Sequence, residues 1–165
     1  MDGVAAIYDA IHTLEEQGAV SIGWDRAIYP TAETARAAIS RGDMYVDDED
    51  GAIVASAIIN RIQPDGYDRA AWTLDVPPEQ VLVLHTLVVD PSYGHGGHGR
   101  SFVAFYENMA RDLGCRALRM DTNERNVRAR SLYARLGYSE VDIVPTTFNG
   151  IPGVQLVCLE KVLLG

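Results

Sequence analysis

The stretch YGHGGHGRS, Tyr93 to Ser101, places four glycines and two histidines at positions 94–99. Glycines at that density let backbone N–H groups approach a ligand without interference from Cβ, and three chemistries use such a loop. A nucleotide phosphate site is one: Gly94, Gly99, Arg100 and Ser101 depart from G-x-x-x-x-G-K-[ST] only where Arg100 replaces the lysine. Asp121 could then imitate the metal-binding acid of a second nucleotide motif. A pyrophosphate cradle for coenzyme A is the second chemistry. A metal centre on His95 and His98 is the third, but a metal needs three or four ligands at compatible spacing. His12 and His85 are isolated in sequence, so no metal is expected. An esterase oxyanion loop is excluded, because the chain has no G-x-S-x-G nucleophile elbow.

Both phosphate readings require a strand before the loop and a helix after it, and the patterning supplies them. VLVLHTLVV (81–89) is apolar almost throughout and predicts a strand buried on both faces at the centre of a sheet. Phe102, Tyr106, Met109, Ala110 and Leu113 mark one helical face that stops at Gly114. Upstream, Val4, Ile7, Tyr8, Ile11 and Leu14 form a helical stripe ending near Gly18. A second helix opens after Pro30 with Thr31 as N-cap and stops at Gly42. Residues 43–62 then read as a hairpin around Asp50-Gly51, and RAAWTL (69–74) as a short third strand. RALRMD (116–121) is a further strand, ERNVRARSLYARLG (124–137) a helix, and two strands around Asn149-Gly150 close the chain. The order α-α-β-β-β-β-α-β-α-β-β implies an α+β (mixed α/β) fold, with a mostly antiparallel central sheet and helices on both faces.

The bulk properties narrow the function. At 165 residues the chain is long enough for a single domain, 1–165, with a substantial core. Fourteen basic against 23 acidic residues give a net charge of −9, and the acids are spread along the chain. No nucleic-acid partner is expected from such a balance, whereas cationic substrates such as amines are compatible with it. Two distant cysteines, Cys115 and Cys158, fit a reducing, cytoplasmic setting. The acidic N-terminus is not a signal peptide and no run reaches the ~20 apolar residues that would imply a membrane span.

Residues 84–140 resemble the core of the GNAT superfamily of N-acetyltransferases. Leu87, Val89 and Pro91 match its L-x-V-x-P strand, and Gly97 and Gly99 its G-x-G loop. Asn126, Ala129, Leu132, Tyr133, Gly137 and Tyr138 match N-x-x-A-x-x-L-Y-x-x-x-G-[FY]. Gly94 departs from the pattern where members carry Gln or Arg, so the backbone alone must shape the loop there. Members also usually open with a strand ahead of the first helix, and this sequence starts almost inside that helix.

The resemblance implies an acetyl-CoA-dependent N-acetyltransferase, acting by direct attack of a primary amine, of a small molecule, through a tetrahedral intermediate. It implies a splayed strand pair in which Leu87, Val88 and Val89 meet the pantetheine arm. The N–H groups of Gly94, His95, Gly96, Gly97, His98, Gly99 and Arg100 would then form an anion nest at a helix N-terminus. It makes Tyr133 the proton donor to the leaving thiolate and a cofactor contact, and Asn126 a second cofactor contact. An alkyl amine of pKa ~10.4 must lose a proton before attack. His85 is the first candidate base, since strict alternation puts it on the face of Leu87 and Val89, although a lone histidine on a central strand is also a common core residue. Trp24, Tyr29 and Trp72 are expected around the acceptor, with Arg26 and Phe148 near them. A homodimer is compatible with the resemblance. Two other functions stay open at this level: a CoA-binding sensor or scaffold without turnover, and a nucleotide-binding protein. The second is disfavoured by Arg100 and by the antiparallel hairpins ahead of the loop.

Overall fold

In a computed structural model of the chain, which describes residues 2–164, the first stripe folds as α1, Asp2–Glu16, burying Val4, Ile7, Tyr8 and Ile11. Helix α2, Ala32–Arg41, is bounded as its sequence demands. Thr31 and Thr34 form a reciprocal capping box, and Gly42 ends the helix at φ 79°. Strands β1 (Met44–Glu49) and β2 (Ala52–Asn60) pair around Asp50 and Gly51, both at positive φ as a two-residue hairpin turn requires. After them come β3 (Val81–Val89), α3 (His98–Asp112), β4 (Ala117–Asn123), α4 (Val127–Arg135), β5 (Ser139–Phe148) and β6 (Ile151–Val162).

The six strands lie in the order β1-β2-β3-β4-β6-β5. Only β3 and β4 run parallel, joined by the α3 crossover, so the sheet is mostly antiparallel as expected. Helices α3 and α4 cover one face through Phe102, Val103, Tyr106, Ala110 and Tyr133. Helices α1 and α2 cover part of the other, where Val4, Ile7 and Tyr8 meet Val88. No helix among the described residues is long and apolar enough to cross a membrane.

The strand expected over 69–74 does not form. Its N–H groups are taken by local carbonyls and by side chains instead: Ala70 donates to the Tyr67 carbonyl and Trp72 to the Ala70 carbonyl, Ala71 donates to Asp142 Oδ2 (3.0 Å), and Thr73 and Leu74 donate to Glu160 Oε2 (2.7 and 3.3 Å). The Leu74 carbonyl accepts from Arg119 Nη2 at 2.8 Å. Residues 61–80 therefore cover the sheet as an irregular layer, with Tyr67, Trp72 and Leu74 packed against β3, β4 and β6.

Strand β3 departs from regular pairing on both of its edges. Its pairing with β4 runs from Val81↔Ala117 to Leu84↔Met120 and stops there, although both strands continue. Its pairing with β2 skips at the same level: Ile58 faces His85 but Ser56 faces Val88, so Thr86 and Leu87 together oppose a single residue. Thr86, at φ 50°, is the bulged position. Beneath the parting strands the Tyr106 hydroxyl, fully buried on α3, reaches both the Leu82 carbonyl (2.6 Å) and the Arg119 carbonyl (3.0 Å).

Tyr106→Phe should leave those carbonyls without their donor and destabilise the protein by about 1–2 kcal/mol, lowering the thermal midpoint by about 2–8 °C. Calorimetry measures this directly; an unchanged midpoint would mean that the hydroxyl bridges nothing of consequence.

Candidate active site

Where β3 and β4 part, a cleft of about 890 Å³ passes through the sheet. Its α3/α4 side is built by the glycine loop. Gly97, at φ 77°, is the N-cap of α3 and brings no capping side chain. Among the described residues the N–H groups of Gly97, His98, Gly99 and Arg100 meet no protein acceptor, so four donors and the positive end of the helix dipole are left for an anion. Gly99 lies flat against Leu132, where an added Cβ would come within 3.4 Å of Cδ2. Arg100, Arg125, Arg128 and Arg135 line this cleft, a local positive field on a chain of net charge −9. Gly94 lacks the expected Gln or Arg side chain, and Arg128 of α4 compensates by donating from Nη2 to the Gly94 carbonyl at 3.1 Å.

Leu87, Val88, Val89, Gly94, His95, Gly97, His98, Gly99, Arg100, Asn126 and Tyr133 all line the cleft. Gly96 does not, since it is turned onto the His98 ring. The His98 imidazole is itself buried and engaged with Asp47, so of His98 the backbone alone is turned to an anion. Asn126 caps α4, its Oδ1 accepting from Ala129 N at 3.2 Å. Tyr133 is buried against Tyr138, and burial raises its hydroxyl pKa. That hydroxyl takes no protein partner among the described residues.

On the opposite face the bulge corrects the expectation for His85. Leu87 and Val89 pack with Leu82 and Leu84 on the α3 side, whereas His85 keeps the phase of Val81 and Val83. An extra residue at Thr86 reverses the alternation, so His85 faces away from Leu87 and Val89. Its Nε2 lies 2.8 Å from Asn60 Oδ1. The same oxygen accepts from Ile62 N at 2.9 Å, and Asn60 Nδ2 donates to Asp43 at 2.8 Å. The Asn60 oxygen is thus an acceptor, Nε2 carries the proton, and Nδ1 keeps its lone pair. Burial pulls the imidazole pKa down to about 4, so the ring is neutral at pH 7.

Across the opening stands a residue outside the family motifs. Val83 pairs with Arg119; two residues further along the two strands, on the same face, come His85 and Asp121. Tyr67 donates to Asp121 Oδ2 at 2.7 Å, and burial raises the carboxyl pKa to about 7. In the sequence Asp121 stands out only as a mimic of the metal-binding acid in nucleotide sites; its phase with Ala117 and Arg119 in RALRMD is the available signal. Among the described residues no cluster is arranged to hold a metal.

Trp24 and Tyr29 line this side of the cleft, as does Phe148. The Tyr29 hydroxyl bonds Thr86 Oγ1, and burial pushes its pKa up to about 12. Trp72 does not belong here. It packs against Tyr67 with ring centroids 4.8 Å apart and the rings tilted, lies under the Arg119 guanidinium at 4.3 Å and donates Nε1–H to the Tyr67 carbonyl, all in the irregular layer. Arg26 likewise turns to Asp9, Glu16 and Thr13.

The sheet is opened between its two parallel strands, with an uncapped helix at one mouth, and comparison with known proteins places this arrangement among acyl-group transferases. The chain belongs to the acetyltransferase (GNAT) family, whose model matches residues 6–138. Its fold is similar to an acetyltransferase of the GNAT family from Streptococcus agalactiae (TM-score 0.74, 22% identity, covering 96% of this chain and 87% of that one). It is also similar to the ribosomal-protein-alanine N-acetyltransferase of Brucella melitensis (0.70, 16%, 98% and 93%) and to an N-acetyltransferase from Staphylococcus aureus (0.67, 16%, 99% and 92%). A search among curated proteins finds no match. The protein is an acyltransferase of this family.

The Asp121 carboxyl gives a stability signature. It holds its proton to about pH 7 in the folded protein but only to about 3.8 in the unfolded chain. Between those values the folded state binds more protons, so this group's contribution makes stability fall as pH rises from about 4 to 7, by up to about 4 kcal/mol. His85 works oppositely, losing stability as pH falls from 6.5 towards 4, so the raw profile partly cancels. The difference between Asp121→Asn and the parent isolates the carboxyl: urea denaturation should show the variant gaining relative stability from pH 4 to pH 8, and a flat difference would refute the shifted carboxyl.

Proposed function

We propose that the protein transfers the acetyl group of acetyl-CoA to the primary amine of a small molecule. The observation that carries this reading is the two-sided cleft: unpaired N–H groups at the α3 N-terminus on one side of the sheet, a carboxyl of pKa about 7 on the other. The cradle fits the coenzyme, since Gly97–Arg100 can take its pyrophosphate and the β3 edge beyond Leu84 has backbone groups free for the pantetheine arm. When bound, acetyl-CoA supplies the activated acyl group.

The chain's own residues divide the proton work. Asp121 is the better base, because a group of pKa about 7 is both ionised and proton-seeking at neutral pH, whereas His85 at about 4 is a weak acceptor. Asp121 takes the proton from the incoming ammonium. The His85 Nδ1 lone pair accepts a hydrogen bond that helps orient the amine. Tyr133, neutral at pH 7, gives its proton to the departing sulfur. An N–H of β3 facing the thioester oxygen would contribute about 3 kcal/mol as charge develops there.

A small acceptor is favoured by the roof over this half of the cleft. Gly150, at the β5–β6 turn, packs on Ile28, and Gly23 packs on Asn123 and Arg125. The walls are Trp24, Phe148, Ile151 and Leu156. A chamber with these apolar walls around Asp121 and His85, roofed at Ile28 and Gly150, suits a compact amine better than a protein chain end.

Thiol release measured with a panel of small amines and one N-terminal peptide tests the reading. The expected outcome is turnover with small amines, a fall of about 10²–10³-fold in kcat for Asp121→Asn, and loss of the rate dependence centred near pH 7. Acetyl-CoA at 100 times its Kd should stabilise parent and variant alike by about 2.7 kcal/mol. Stabilisation without turnover of any amine would leave a coenzyme-binding protein, not an enzyme for small amines.

A further inference from the structure

The four-glycine loop contains one buried side chain, His98 at 8% exposure, and it points away from the cleft. Its Nδ1 lies 2.9 Å from Asp47 Oδ2; a carboxylate only accepts, so Nδ1 donates. Glu49 Oε1 stands 3.6 Å from Nε2, and Tyr93 packs edge-on at 6.1 Å between ring centroids. The imidazole also explains Gly96: a Cβ there would come within 2.5 Å of His98 Nε2. Asp47 and Glu49 belong to β1, the edge strand, which contributes nothing to the cleft.

We propose that His98 is a positioning residue for the pyrophosphate loop, a strut that fixes the loop to edge strand β1 through Asp47. Residues 94–97 have little else to hold them. Their own ties are Gly94 N to Pro91 O (3.4 Å), Gly96 N to Tyr93 O (3.0 Å), the Gly97 carbonyl accepting from Ser101 N (3.0 Å) at the helix start, and the Arg128 contact at Gly94. A run this rich in glycine has large conformational freedom to lose. The strut removes that freedom before the coenzyme arrives, so its contribution appears as coenzyme affinity and not as chemistry.

This inference rests on the pyrophosphate reading of the loop, and a truncated cosubstrate separates the two. S-acetylpantetheine carries the thioester without the pyrophosphate. Asp47→Ala, on an exposed edge strand outside the cleft, should raise KM for acetyl-CoA about tenfold with kcat within twofold, and His98→Ala should raise that KM to a similar extent. Asp47→Ala should leave kcat/KM for S-acetylpantetheine within twofold of the parent. The double variant should be no worse than either single one, because both remove one link, and His98→Asn, which can keep a donor towards Asp47, should recover part of the affinity. Equal losses with both thioesters, or KM values within twofold of the parent, would overturn the strut. A parent protein that uses the two thioesters equally well would overturn the pyrophosphate reading itself, and the strut with it.

Discussion

A β-strand that takes in one extra residue must turn every later side chain to the opposite face, and the working half of this molecule depends on that rule being invoked once, at Thr86. Before the bulge β3 is an ordinary central strand, paired on both edges and buried on both faces. Beyond it the strand follows β2 and abandons β4, and Leu87 and Val89 turn to α3 while Val88 turns to α1. A β-branched residue at φ 50° is unfavourable by itself, on the order of 1–2 kcal/mol. The conformation is held from outside by the Tyr29 hydroxyl on Thr86 Oγ1 and by the continued β2 ladder.

The opening so made gives two titratable groups a shared, partly dehydrated space. Burial favours the neutral form of each, lowering His85 and raising Asp121. Their tethers differ in kind. His85 is fixed through Asn60 to Asp43, which the Arg41 guanidinium holds at 2.9 Å, whereas Asp121 accepts a single phenolic hydrogen bond. One group is locked in its tautomer and the other is left close to its point of half-ionisation, a division of labour that neither residue type dictates alone.

What is legible in the sequence and what is hidden divide along the range of the interactions. Thr31, Gly42, Asp50-Gly51 and the glycine-to-helix junction act within a few residues, and their elements form where the patterning predicts. RAAWTL alternates like a strand, but its backbone is satisfied by Asp142 and Glu160 from 70 to 90 positions later, which no local pattern records. Alternation puts His85 on the wrong face because it holds only for an unbulged strand. Asp121 is visible as a charged residue in phase with the buried positions of β4, yet its importance comes from where β3 leaves β4. Gly94 reads as a weakness of the loop, and the compensating Arg128 lies 34 residues away on another helix.

The cleft also governs the order of events. A passage that pierces the sheet has two mouths, one beside the glycine loop and one beneath the roof of Ile28 and Gly150. In the proposed reaction neither substrate travels through the seat of the other. Both must be present together for the acyl group to move, and neither has to arrive first or leave last. For the proposed transfer, approach from two sides would impose no order of addition, and a waiting amine would not trap the spent coenzyme behind it.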